Sequence, residues 1–132
     1  ILVPACVDFS VHHTTSIPAE FKDRPIYDHN PEFALARCTK EEMGKLGAYF
    51  AECANTSMGP TEIVIPGEGY SIPNVPGGVF WDRDADAAFE SELMKNIKSE
   101  ITIEKLPLHA NSKEFGIAVA QRFLSLISVR IK

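Results

Sequence analysis

Thr61-Glu62-Ile63-Val64-Ile65-Pro66 decides how this chain is read. Three consecutive β-branched apolar residues suit a strand buried on both faces, as in a parallel sheet. A Gly/Pro-rich loop runs from Pro66 to Phe80. Asp82 then caps a helix predicted over 83–98, with Ala85, Ala88, Phe89, Leu93 and Ile97 on one side. Upstream, Thr39 and Glu42 form a capping box for a helix over 39–55, whose apolar face is Met43, Leu46, Gly47, Phe50 and Ala54. Downstream, Ile101 to Leu106 reads as a strand nearer the sheet edge. Ser112 caps a last helix over 113–129 with Phe115, Ala118, Val119, Phe123, Leu126 and Ile127 on its face.

Towards the start, Leu2 to Val7 reads as a short buried strand and 12–25 as a polar loop. Ile26-Tyr27 and Phe33 to Arg37 read as short extended pieces around His29-Asn30-Pro31. Alternating strands and helices imply right-handed crossovers. The expected fold is therefore α/β, a three-layer Rossmann-like sandwich with a mostly parallel sheet. Only three convincing strands are visible, against five or six in a doubly wound sheet. Residues 1–132 are thus expected to be the C-terminal portion of one Rossmann-like domain, an incomplete domain. The missing strands would come from the remainder of the same polypeptide or from a second chain. The apolar start Ile1-Leu2-Val3 fits that expectation.

Composition narrows the function. The 132 residues carry 18 acids and 13 bases, a net charge of −5, which excludes a sequence-independent nucleic-acid binder. No apolar run approaches the roughly 18 residues of a membrane span. Cys6, Cys38 and Cys53 are odd in number and lack C-x-x-C spacing. They read as reduced thiols of a cytoplasmic protein, two or more of them buried. No histidine stands near them, and no metal site is expected.

Ligands of open α/β sheets bind beyond the carboxyl ends of strands. Three loops qualify: one with Asp8, Ser10, His12 and His13, one with Gly67 to Gly78, and one with His109, Ala110 and Asn111. Glycines let backbone approach a ligand and present N–H groups to it, so Gly67, Gly69, Ser71, Gly77 and Gly78 are the ligand-binding candidates. The loop is neither a dinucleotide fingerprint nor a Walker A motif. Asp8, His29 and His109 are candidate acid/base groups for a small polar substrate. His12 and His13 are adjacent and would point to opposite sides of an extended chain. Asp82, Asp84 and Asp86 read as helix-start residues that complement the dipole.

Four ordered segments carry a resemblance: Tyr27-Asp-His-Asn-Pro31, Arg37-Cys-Thr-Lys-Glu-Glu42, Gly69-Tyr-Ser-Ile-Pro-Asn-Val-Pro-Gly-Gly-Val-Phe-Trp-Asp-Arg-Asp-Ala-Asp86 and His109-Ala-Asn-Ser-Lys-Glu-Phe115. In order and spacing the chain resembles the conserved, largely uncharacterised family that includes the N-terminal region of the tomato mosaic virus resistance protein. The resemblance implies a longer protein of two Rossmann-like domains, with this chain in the second. It also implies a homodimer and ATP as a possible ligand. In the plant member, it implies inhibition of viral RNA replication through a viral replication protein. Two departures stand out. The family's Gly-rich Thr-Gly-Thr-Gly-Gly loop lies upstream of these residues, and Ser112 replaces the usual Asp of the last motif. The expected function is a ligand-binding segment of a nucleotide- or small-metabolite-binding protein. The alternatives are an acid/base enzyme and a structural, dimerising half-domain.

Overall fold

A computed structural model of the protein describes residues 1–128. The chain is α/β, with three helices and two separate sheets. Strand β1 (Phe9–His13) pairs with β3 (Phe33–Arg37), which also pairs with β2 (Ile26–Asp28); both pairings are antiparallel. Strand β4 (Glu62–Pro66) pairs in parallel with β5 (Thr102–Leu106), Ile63 opposite Ile103. The expected single, mostly parallel sheet is corrected accordingly: three of the five strands form an antiparallel sheet of their own. Two of those strands, β2 and β3, are the short extended pieces on either side of His29-Asn30-Pro31.

The segment read as a strand from Leu2 to Val7 pairs only at Leu2, in a parallel bridge with Ile63. Pro4 offers no N–H to a ladder, and Cys6 takes a positive φ of 56°, so the extended run cannot continue. Phe9 to His13, partly assigned to a loop, is β1 instead. His12 stacks on Phe21 and His13 stands edge-on to Phe33, on opposite faces as strand alternation requires.

Helix α1 (Lys40–Asn55) has the capping box the sequence announces: Glu42 N–H donates to Thr39 Oγ1 and Thr39 N–H to Glu42 Oε2. Helix α2 (Arg83–Asn96) is capped by Asp82, whose carboxylate accepts from Ala85 N–H at 3.0 Å. Helix α3 is described from Lys113 to Ser128 and is capped by Ser112; residue 129 of the expected span lies outside the described residues. Helices α1 and α2 pack against one another. They come close at Gly47, where a Cβ would collide with the Phe89 carbonyl oxygen. The core is Met43, Ala51, Ala54, Ile63, Ile65, Tyr70, Ala85, Phe89 and Leu93.

Helices flank the parallel pair on both faces. On β5, Lys105 pairs with Glu90 of α2 at 2.7 Å, while its neighbour Glu104 pairs with Arg122 of α3. Successive strand residues point to opposite faces, so α2 and α3 lie on opposite sides. Arg122 also holds Glu62 of β4 at 3.0 Å. Phe80, in the loop after β4, packs against Phe9 and Tyr27 and ties the two sheets together.

Candidate functional site

Strand β3 ends in Arg37, delivered by the buried run Ala34-Leu35-Ala36 into the space between the two sheets. An unpaired guanidinium is not tolerated there, and Arg37 is fully engaged. Its Nη2 donates to Asp86 Oδ1 at 2.6 Å, Nε to the Phe80 carbonyl and Nη1 to the Asp8 carbonyl, both at 3.0 Å. Asp86 sits one turn inside α2 and also accepts from Asn74 Nδ2 at 3.3 Å. Asp8 is completely buried and accepts from Ser71 Oγ at 2.7 Å. His109 Nε2 meets the Ser71 carbonyl at 3.0 Å, and the Asn111 N–H donates to its Nδ1. Those two bonds select the neutral ring with its proton on Nε2.

Two carboxylates and one guanidinium share this buried cluster. Burial pushes the Asp86 carboxyl up from its ordinary value, against the lowering effects of Arg37 and Asn74. Asp86 therefore holds its proton more tightly folded than unfolded. Between the ordinary carboxylate value, about 4, and its folded pKa, its contribution to stability declines as pH rises. A carboxyl carbon NMR titration is expected to place the Asp86 midpoint above the ordinary carboxylate value of about 4. A midpoint at or below that value would contradict it. Asp8 Oδ1 and Asn74 Oδ1 are buried acceptors with no donor among the described residues.

Over this cluster opens a cleft of about 640 Å³, beyond the carboxyl end of β3. The starts of α1 and α2 both border it, through Thr39, Lys40, Asp82 and Arg83. Arg24 lines it too, held by Glu42 at 2.6 and 3.0 Å and resting on the Phe21 ring at 4.3 Å. Arg83 lies 5.0 Å from the centre of the Trp81 ring and donates to the Gly67 carbonyl. Lys40 has no ion-pair partner among the described residues, whereas Asp82 is occupied as a cap. Asp23 and Asp84 line the cleft as well, so its charge is mixed, and the end formed by the helix starts, Lys40 and Arg83 is the part that suits an anionic or hydrogen-bond-accepting group.

The expected ligand-binding residues lie elsewhere. Gly67 is needed because a Cβ would stand 2.6 Å from the Leu106 carbonyl oxygen. Gly69 has a φ of +127°, and its Cβ would overlap the Asn74 carbonyl oxygen. Gly78 is similarly confined by the Pro73 carbonyl, whereas Gly77, at φ +78°, faces open space. None of these glycines, nor Ser71, lines the cleft. Asp8 and His109 do meet, through Ser71. His29 stands apart in the exposed turn between β2 and β3, its N–H bonded to the Phe33 carbonyl. Among the described residues no group of three or more His, Cys, Asp or Glu is placed to hold a metal.

Sequence reading missed Arg37, Asn74 and Asp86 as one unit. A signal existed: Asp86, Phe89 and Leu93 share the inner face of α2, so a carboxylate there needs a buried partner. Two or more buried cysteines were also expected. Cys38 is half-buried and Cys6 and Cys53 are exposed, all three free. Burial pushes the Cys38 thiol up, aided by Glu42.

A family model described as the C-terminal domain of the uncharacterised protein family UPF0261 matches residues 1–127. A UPF0261 protein of Mesorhizobium japonicum is 33% identical over 108 residues, covering 80% of this chain and 27% of the relative. One from Rhizobium meliloti is 36% identical over 110 residues, covering 82% and 28%. The ToMV resistance protein Tm-1 of Solanum lycopersicum is 32% identical over 114 residues, covering 85% and 15%. The chain thus spans a little over a quarter of the length of these bacterial relatives.

Proposed function

The chain belongs to the UPF0261 family, as its C-terminal domain, and from that premise we propose that it forms one wall of a small-ligand site in a longer protein. The ligand is a nucleotide or another small metabolite with an anionic group. The parallel pair would be extended into a Rossmann-like sheet by the rest of the polypeptide or by a second chain, a homodimer being one such arrangement. One observation carries the proposal: the cleft over Arg37, where the starts of α1 and α2 converge with Arg24, Lys40 and Arg83. The cleft opens where β3 runs into the start of α1, beside the start of α2, so backbone N–H groups of two helix N-termini border it.

The acid/base alternative draws less support. Asp8 is sealed from solvent and His109 is tied on both ring nitrogens, so neither is open to a substrate. Free thiols suit a cytoplasmic setting. No helix among the described residues is long and apolar enough to cross a membrane.

Calorimetry of the longer protein with ATP, and with inorganic phosphate as a second probe, tests the proposal. Lys40→Ala and Arg83→Ala are each expected to weaken binding about tenfold, the worth of one charge-assisted hydrogen bond. No binding heat from either probe, or affinities unmoved by both substitutions, would remove this cleft as the site.

A further inference from the structure

Helix α3 is apolar almost all the way round. At about 100° per residue, Phe115, Ala118, Val119, Arg122 and Leu126 share one side, and this side meets the parallel pair. Gly116, Ala120, Phe123, Leu124, Ile127 and Ile117 occupy another broad side. There Ile117, Phe123, Leu124 and Ile127 are between 39% and 57% exposed. Apart from Lys113 in the first turn and Arg122 on the inner side, its polar residues fall in a strip with Glu114, Gln121, Ser125 and Ser128. In α1 the arrangement is ordinary: the outward positions Lys40, Glu41, Lys45 and Glu52 are charged. A helix apolar all round belongs to the interior of a larger body. Gly116 has open space where a side chain would stand, and Ala120 follows one turn later, so a neighbour can come close.

The occupant follows from where the chain enters. Ile1 lines a groove of about 180 Å³ together with Gly59, Pro60, Phe123, Leu126 and Ile127. From there Leu2 joins the flank of β4, donating to the Glu62 carbonyl at 2.9 Å and accepting from Val64 N–H at 3.0 Å. Polypeptide leading to Ile1 must therefore arrive beside the apolar side of α3. In the bacterial relatives about three quarters of the chain lies outside the matched region, and the matched model is the C-terminal one.

We propose that the exposed apolar side of α3 is an internal interface, covered by the part of the longer protein that precedes Ile1. That segment packs along Phe123, Leu124 and Ile127, as α1 and α2 pack on the opposite face.

The test uses the longer protein. Phe123→Asp and Leu124→Asp are each expected to lower its Tm by about 5 °C or more, because each buries a charge without a partner. Gln121→Asp, on the polar strip of the same helix, is expected to leave Tm within about 1 °C. Carbene footprinting of the unsubstituted protein is expected to leave Phe123 and Ile127 nearly unlabelled. Free labelling, or Asp variants as stable as the control, would overturn the proposal. So would a dimer that the Asp variants convert to monomer, since a second copy would then be the occupant.

Discussion

Arg37→Ala is expected to cost about 3–5 kcal/mol, the usual penalty for removing one partner of a buried ion pair. Against a total stability of about 5–15 kcal/mol, that leaves the domain marginal or unfolded. The loss has three sources. Asp86 is left buried with only the long Asn74 bonds, and must either hold an uncompensated charge or take up a proton. The Phe80 carbonyl loses the guanidinium, and with it the tie between the loop after β4 and β3. A cavity the size of an arginine opens between the sheets. Urea denaturation followed at Trp81, the chain's one tryptophan, measures the effect. Arg37→Lys should rescue little, because an ammonium cannot serve three acceptors arranged around a planar fork. Arg37→Met with Asp86→Leu should recover a large part, because both charges leave together. A loss below about 1 kcal/mol for Arg37→Ala would mean that the pair does not organise this region.

Gly69→Ala is expected to destabilise by about 3 kcal/mol or more, by a different route. The backbone conformation at φ +127° is strained for any L residue, at about 1–2 kcal/mol. The added methyl would also overlap the Asn74 carbonyl oxygen and stand 2.9 Å from His109 Cδ2. Backbone on one side and a doubly bonded ring on the other leave no easy retreat. Relief requires shifting Asn74, which donates to Asp86, or His109, which supports Ser71 and through it Asp8. Gly77→Ala is the control: its φ is also positive, but its surroundings are open, so only the conformational strain is incurred. The difference in urea midpoints between the two variants isolates the packing part. Equal losses would show that Gly69 serves a turn and nothing more.

The two positions also show how far the four family-like segments could be interpreted. Arg37 and Asp86 lie in different segments, 49 residues apart, and meet in one ion pair. Gly69 and His109 likewise come from different segments and touch. Order and spacing along the chain identified these segments without indicating that they complete one another. Their residues are explained first by a buried polar cluster. The cleft above it is bordered by Lys40, Trp81 and Arg83, which stand out in neither periodicity nor glycine content.

Local physics determined what was legible from the sequence alone. Capping side chains and apolar periodicity act within a few residues, so α1, α2 and the start of α3 follow from Thr39, Asp82 and Ser112. A run of β-branched residues likewise declares β4 wherever it ends up. Only the tertiary structure decided the rest. Strand partners are set by hydrogen bonds between distant segments, so the antiparallel sheet of β1, β3 and β2 could not be told from edge pieces of a parallel one. Periodicity has no unique phase in a helix that is apolar nearly all round. Phe123 and Ile127 were therefore grouped with Phe115, although they face away from it. A glycine announces conformational freedom without naming what approaches it, and for Gly67, Gly69 and Gly78 the neighbour is this protein's own backbone.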